Sequence, residues 1–152
     1  MHNEIFRKEN IILDLQASSG SAALDIFAEA LALQDPGLKD SKDKILKALK
    51  AREASGSTGA DRVGIPHVKM AEATKVSGLI AVHSDGLDYQ ALDGEPVHVF
   101  FAIVRPEAED AEHVGLLRWI AEVAQHQDFV SFAMQATEPG QVLDLLSDLA
   151  TA

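Results

Sequence analysis

Apolar residues recur along this chain with two different periods, and the change of period marks out its elements. Residues 11–15 form a short apolar run with the look of a strand. Leu24, Phe27, Ala28 and Leu31 then fall three or four apart, the spacing of one helix face. Ser18, Ser19 and Ser21 offer N-caps for that helix, and Pro36-Gly37 marks where it stops. Ile45, Leu46 and Leu49 define a second helix, capped by Asp40 or Ser41. Its last turn holds Lys50 and Arg52, which suits the negative end of a helix dipole. The Gly/Ser/Thr-rich residues 55–62 read as a loop, and residues 63–67 as a strand end.

The second half alternates differently. Residues 75–83 read as a strand, and Asp85-Gly86 and Asp93-Gly94 are turn signals. Between the turns, Leu87, Tyr89 and Ala91 alternate with polar residues, which predicts a short edge strand. Residues 97–104 are almost continuously apolar, the pattern of a strand covered on both faces. His98 interrupts them and reads as a satisfied interior or edge residue. An acidic stretch follows Arg105-Pro106. A helix then starts near His113, with Leu116, Leu117, Ile120 and Val123 or Ala124 on its apolar face, which puts His113 on that face at the helix start. A shorter helix is expected over about 128–135. Thr137 can cap a last helix with Val142, Leu145, Leu146 and Leu149 inward. Strands alternate with helices without a strict βαβ repeat, which predicts an α/β fold: a single mixed sheet flanked by helices. With no repeat or dividing linker, residues 1–152 are expected to be one domain with a core of about 10–150.

Composition narrows the functions. Aromatics make up 5% of the chain, so the core is expected to be mostly Leu, Ile, Val and Ala, and stacking platforms for single-stranded nucleic acid are lacking. The net charge of −11 would repel a phosphate backbone and attract a basic protein partner. The absence of cysteine excludes disulfides, thiolate metal sites and thiol nucleophiles. No apolar signal region opens the chain and no apolar run approaches a membrane span, so a soluble, cytoplasmic protein is expected. None of the six histidines is paired at i,i+3 or i,i+4 and there is no H-E-x-x-H, so no metal is expected. Neither a G-x-x-x-x-G-K-[ST] nor a G-x-G-x-x-G loop is present, and no cofactor is expected.

What remains is the stretch from Arg52 to His67, R-E-A-S-G-S-T-G-A-D-R-V-G-I-P-H. Its glycines let the backbone turn tightly and present N–H groups, its hydroxyls and arginine can donate to an oxyanion, and Pro66 limits the freedom of the chain just before His67. His67 is the candidate nucleophile for a phosphoryl group, with His113 as a second imidazole and Arg52 at the mouth of the loop. Two histidines beside an arginine make a phosphoryl-transfer site that needs no metal.

Five stretches carry a resemblance: Leu15-Gln-Ala-Ser18; Arg52-Glu53 with Ser57-Thr58-Gly59; Ile65-Pro66-His67; Gly86-Leu-Asp-Tyr-Gln-Ala-Leu-Asp-Gly-Glu-Pro-Val97; and His113 with Leu116 and Leu117. Over about residues 10–150 the chain resembles the enzyme IIA domains of the bacterial phosphoenolpyruvate-dependent sugar phosphotransferase system, in the fructose/mannitol class that includes the nitrogen-regulatory branch. The resemblance implies the mannitol/fructose-type sandwich fold. It implies that His67 accepts a phosphoryl group from the phosphocarrier protein HPr, that His113 bonds the phosphoryl oxygens or holds the reacting ring, and that Arg52 neutralises developing charge. Ser57, Thr58 and Gly59 would form the phosphate-binding loop. The acceptor would be an enzyme IIB domain, or in the regulatory branch other protein targets. The sequence departs from the family at the loop. The usual S-T-G-I-G-x-G-I-A-I-P-H is one residue shorter here, two glycines are lost, Asp61 and Arg62 enter, and Val68 replaces the glycine after the histidine.

Overall fold

A computed structural model describes residues 5–108 and 111–150, and the side chains described exclude those of residues 111–114 and 150. In chain order the elements are β1 (Ile11–Ile12), α1 (Gly20–Ala32), α2 (Lys42–Ala54), β2 (Gly59–Ala60), β3 (Val63–Gly64), β4 (His67–Met70), β5 (Ser77–Leu87), β6 (Val97–Pro106), α3 (Ala111–Ala124), α4 (Phe129–Gln135) and α5 (Pro139–Ala150). The six strands form one mixed sheet in the order β1-β5-β6-β3-β2, with β4 also paired to β6. β1 runs parallel to β5, and β3 and β4 run parallel to β6, whereas β5/β6 and β2/β3 are antiparallel.

β6 is the centre because its sequence is apolar at both parities. Phe100, Ala102 and Val104 enter the core under α1 and α2, while Val99, Phe101 and Ile103 enter the core under α3, α4 and α5. A period of two thus feeds two hydrophobic layers from one strand. Leu, Ile, Val and Ala fill most of both layers, as composition predicts, but the few aromatics anchor them. Phe27 and Tyr89 pack on Phe100, at centroid distances of 5.3 and 5.0 Å. Phe6 and Phe129 flank Phe101 at 5.7 and 5.8 Å. Each fully buried Phe contributes roughly 1.5–3 kcal/mol of transfer free energy.

The helices follow the sequence reading closely. Ser19 caps α1, its side chain accepting from the Ala22 N–H. Leu116, Ile120 and Val123 of α3 are buried, as are Val142 and Leu146 of α5. The start of α5 differs from expectation. Thr137 does not act as the acceptor; the Gln141 side-chain oxygen reaches back and accepts from the N–H groups of Thr137 and Glu138 at 2.6 and 3.1 Å.

The strands hold three corrections. Only Ile11 and Ile12 of residues 11–15 join the ladder. The predicted turn at Asp85-Gly86 is a bulge, because β5 continues to Leu87 with its register shifted between Val82 and Leu87. The predicted edge strand at 87–91 is a loop: Tyr89 and Ala91 are buried, but Gln90 takes a φ of +53° and residues 88–91 pair with no strand. Alternating burial was legible there, but alternating burial does not require a ladder.

Candidate functional site

The site forms along the edge of the sheet beyond β6. Val63↔Val99 and His67↔Ile103 share one register offset, so β3 and β4 are two pieces of one edge line interrupted at Ile65-Pro66. Pro66 has no N–H to give and is tolerated at such an edge; its carbonyl accepts from the Ile103 N–H at 2.9 Å. Partners in a parallel register project to the same face. His67 therefore shares the face of Ile103, the face that α3, α4 and α5 cover, while Val68 packs against the opposite core.

The His67 ring, half-buried, is oriented by its own neighbour. Nδ1 lies 2.6 Å from the Ile65 carbonyl oxygen. A carbonyl only accepts, so Nδ1 holds the proton and Nε2 of the neutral ring carries the lone pair. Ile65 is itself held: its N–H donates to Thr58 Oγ1 at 3.2 Å. Thr58 in turn donates its hydroxyl to one Glu53 carboxylate oxygen at 2.7 Å and its N–H to the other at 2.9 Å. Glu53 is in the last turn of α2. A line of hydrogen bonds thus runs from α2 through Glu53, Thr58 and Ile65 to the imidazole of His67.

Arg52 is next to Glu53. Its Nη1 donates to the Gly56 carbonyl at 2.8 Å, just past the end of α2, and the Ser55 hydroxyl donates to the Arg52 carbonyl at 2.8 Å. Arg52 thus lies in the last turn of α2 with its guanidinium at the mouth of the loop. Ser57 Oγ accepts from the Gly59 N–H at 3.1 Å and approaches the Tyr89 carbonyl at 3.5 Å. A Cβ at Gly59 would meet Ala91, Val97 and the Tyr89 ring at 3.1–3.3 Å, so this glycine is set by close packing. The backbone of His113 is in the first turn of α3; its side chain lies outside the described residues.

Two participants were missed in the sequence. Glu53 was quoted only as the neighbour of Arg52, yet it makes the bonds that hold Thr58. Tyr89 is buried beneath the loop with its ring against Gly20, Gly59 and Gly64. Its hydroxyl makes no hydrogen bond of good geometry. Burial first, then the nearby Glu53 carboxylate, push the phenol well above its ordinary value, so it stays neutral. No sequence signal announced it, since the glycines that pack on Tyr89 meet it only in the fold.

The shortened loop closes as a hairpin. Ala60 pairs with Val63, and Asp61 and Arg62 form the two-residue turn with φ of +54° and +68°. Two positive φ values are the signature of a type I′ turn, which favours glycine or asparagine. The Asp61 N–H donates to Asp93 Oδ2 at 2.9 Å, which offsets part of that strain. The Arg62 guanidinium reaches Met134 Sδ on α4 at 3.5 Å.

Residues 4–149 match the family model described as phosphoenolpyruvate-dependent sugar phosphotransferase system, EIIA 2. The chain belongs to this EIIA family. Among its relatives, the fructose-specific EIIA component of Haloferax volcanii is 30% identical over 116 residues, covering 76% of this chain and 75% of the relative. A nitrogen regulatory protein of Pseudomonas aeruginosa is 32% identical over 119 residues, covering 77% and 75%. The crystal structure of nitrogen regulatory protein IIA-Ntr from Neisseria meningitidis superposes with a TM-score of 0.87 at 26% identity, covering 94% of this chain and 97% of that one. The EIIA sandwich expected from the sequence is therefore the fold observed. EIIA-type phosphocarriers and nitrogen-regulatory proteins are both among its relatives. Among the described residues no helix is long and apolar enough to cross a membrane.

Proposed function

We propose that this EIIA protein accepts a phosphoryl group on Nε2 of His67 from a phosphohistidine of an HPr-type carrier and passes it to an enzyme IIB acceptor. The observation that carries this reading is the 2.6 Å contact between Nδ1 and the Ile65 carbonyl, which leaves Nε2 as the nucleophile. In the transfer, the Nε2 lone pair forms the new N–P bond while the N–P bond to the donor imidazole breaks and its electron pair returns to that ring. The proton stays on Nδ1 throughout, donated to the Ile65 carbonyl. The transition state is loose and nearly in line, so the chain contributes position and charge rather than covalent chemistry.

Arg52 offsets the developing charge, and Ser57, Thr58 and Gly59 shape the phosphate-binding loop. Thr58 donates its hydroxyl to Glu53, so its part is to fix Ile65 and, through it, the ring. His113 bonds the phosphoryl oxygens. Supporting its pairing with His67, β6 ends at Pro106, in register with Met70 three residues along β4 from His67, and a four-residue connection then leads to α3. His67 also faces the layer that α3 covers.

Incubation with phosphoenolpyruvate, enzyme I and HPr, read by intact mass, tests the proposal. One acid-labile phosphoryl group is expected on the native chain and none on His67→Ala. Retention of the label in His67→Ala overturns the assignment. A second reading, a stand-alone regulator acting by phosphorylation-dependent protein binding, draws on the nitrogen-regulatory relatives and on the altered hairpin beside the site. Transfer of the label onward to an enzyme IIB domain supports the first reading; retention of the label with altered capture of other proteins supports the second.

A further inference from the structure

The sheet has a second edge, and it holds a cleft of about 750 Å³. β1 covers only Ile80 and Ala81 of β5, so the start of β5, paired with β6 on one side, has among the described residues no strand on the other. The Gln34 side chain stands in for the missing partner: its Nε2 donates to the Gly78 carbonyl at 2.9 Å and its Oε1 accepts from the Gly78 N–H at 3.2 Å. This wall is therefore pinned in place, and the cleft opens between it, the end of α1 and the N-terminal segment.

Its chemistry contrasts with the rest of the molecule. The chain carries −11, yet among the described residues Arg7, Lys75 and Arg105 line this cleft with one acid, Glu9. Among the described residues neither Lys75 nor Arg105 has a carboxylate partner within salt-bridge distance. The rest of the wall mixes the polar side chains of Asn10, Gln34 and Thr74 with an aliphatic strip, Val76 and the buried Leu79 inside and Leu33 at the rim, 84% exposed. Cations beside an aliphatic strip in a cleft of this size are the features of a small-ligand site. In a protein of strongly negative field, the charge placed there selects an anion.

We propose that this cleft binds a small amphiphilic anion, an oxyanionic head held by Lys75 and Arg105 with an aliphatic body laid on Leu33, Val76 and Leu79. The inference does not rest on the role of His67. The sheet order puts β5 and β6 between β1 and β4, so the two sites occupy opposite edges. Only the end of β6 is shared: Arg105, in the cleft wall, is in register with Lys69, two residues past His67.

The test uses the full chain carrying His67→Ala, so that a phosphoryl site cannot take the probe. Hexyl phosphate, kept below its micellar range, is titrated while methyl NMR follows Ile12, Leu33, Val76 and Leu79. Saturable shifts confined to these methyls are expected. Affinity should fall by at least about tenfold in Lys75→Gln/Arg105→Gln, two exposed or half-exposed sites whose change leaves the core intact. Inorganic phosphate and hexanol, each offering half of the ligand, should bind far more weakly. Equal binding of either half, unchanged affinity in the double variant, or shifts elsewhere would overturn the proposal. Co-sedimentation with phosphatidylglycerol vesicles in preference to binding free hexyl phosphate would assign the cleft to a membrane surface and overturn it as well.

Discussion

At the residue scale the side chains proposed to act differ from those that hold them. His67 and Arg52 could be named as candidates because each has a motif around it. Glu53 and Tyr89 could not, because their partners lie from five (Glu53 to Thr58) to 69 (Tyr89 to Gly20) residues away, and only the fold shows that one carboxylate takes both Thr58 donors. Glu53→Ala should therefore lower stability by about 1–2 kcal/mol, the range for charge-assisted hydrogen bonds at a half-exposed site. Under the proposed function it should also slow His67 phosphorylation. Urea titration gives the first effect and a timed phosphotransfer assay the second; an unchanged rate would mean that Ile65 is held without Thr58. Tyr89→Phe should behave in the opposite way. Its hydroxyl is buried without a good partner beside a negative charge, so removing it should leave stability unchanged or raise it by up to about 1 kcal/mol. Asp61→Gly should stabilise by up to about 1 kcal/mol, since it relieves a positive φ while keeping the N–H that bonds Asp93. A lower urea midpoint for this variant would show that the Asp61 side chain stabilises the hairpin in a way its backbone does not.

Among elements, periodicity revealed burial more reliably than pairing. The helix faces and the two-sided strand were read correctly because burial and element coincide there. Residues 87–91 were misread because a loop packed on a core alternates as a strand does. The β2–β3 hairpin escaped because its turn residues, Asp61 and Arg62, lack the glycine or asparagine that announces a type I′ turn. One contact between elements carries a testable charge. Asp35 is buried at the turn before α2, and it accepts from the Gly37 N–H, the Thr74 N–H and the Thr74 hydroxyl at 2.9, 2.8 and 2.6 Å. It thereby fastens the α1–α2 turn to the β4–β5 loop. Burial alone would raise its pKa, but the bonds from Thr74, Gly37 and Lys75 together hold it below the ordinary carboxylate value. A group depressed in the folded state stabilises fully above its unfolded value, about 4, and the contribution is lost as the pH falls through the folded value. Asp35→Asn should cost about 2–3 kcal/mol at neutral pH and less as the solution is acidified below about pH 4. Unfolding free energies of the two chains measured across that range should converge; parallel curves would mean that Asp35 is not the titrating link.

The whole molecule adds a property that belongs to no single element. A net charge of −11 on one sandwich gives it a long-range negative field, and the described ion pairs, Lys42–Asp25 and Lys44–Glu72, lie partly in solvent where they do little to localise it. The sign of this field was readable from composition; its exception at the β1 edge was not, because Arg7, Lys75 and Arg105 are far apart along the chain and meet only in the fold. A basic carrier approaching the His67 edge would be drawn in over distances comparable with the Debye length, about 10 Å at 0.1 M salt. Steering acts on encounter and leaves the chemistry of a formed complex alone. The second-order rate of phosphorylation by the donor should therefore fall by about tenfold or more between low salt and roughly 0.3 M. The single-turnover rate at saturating donor should stay nearly constant over the same range. Rapid-quench measurements at both limits separate the two. A second-order rate indifferent to salt would mean that the acidic surface serves solubility alone, and a saturated rate that falls with it would place the salt-sensitive contact inside the reacting complex, at Arg52.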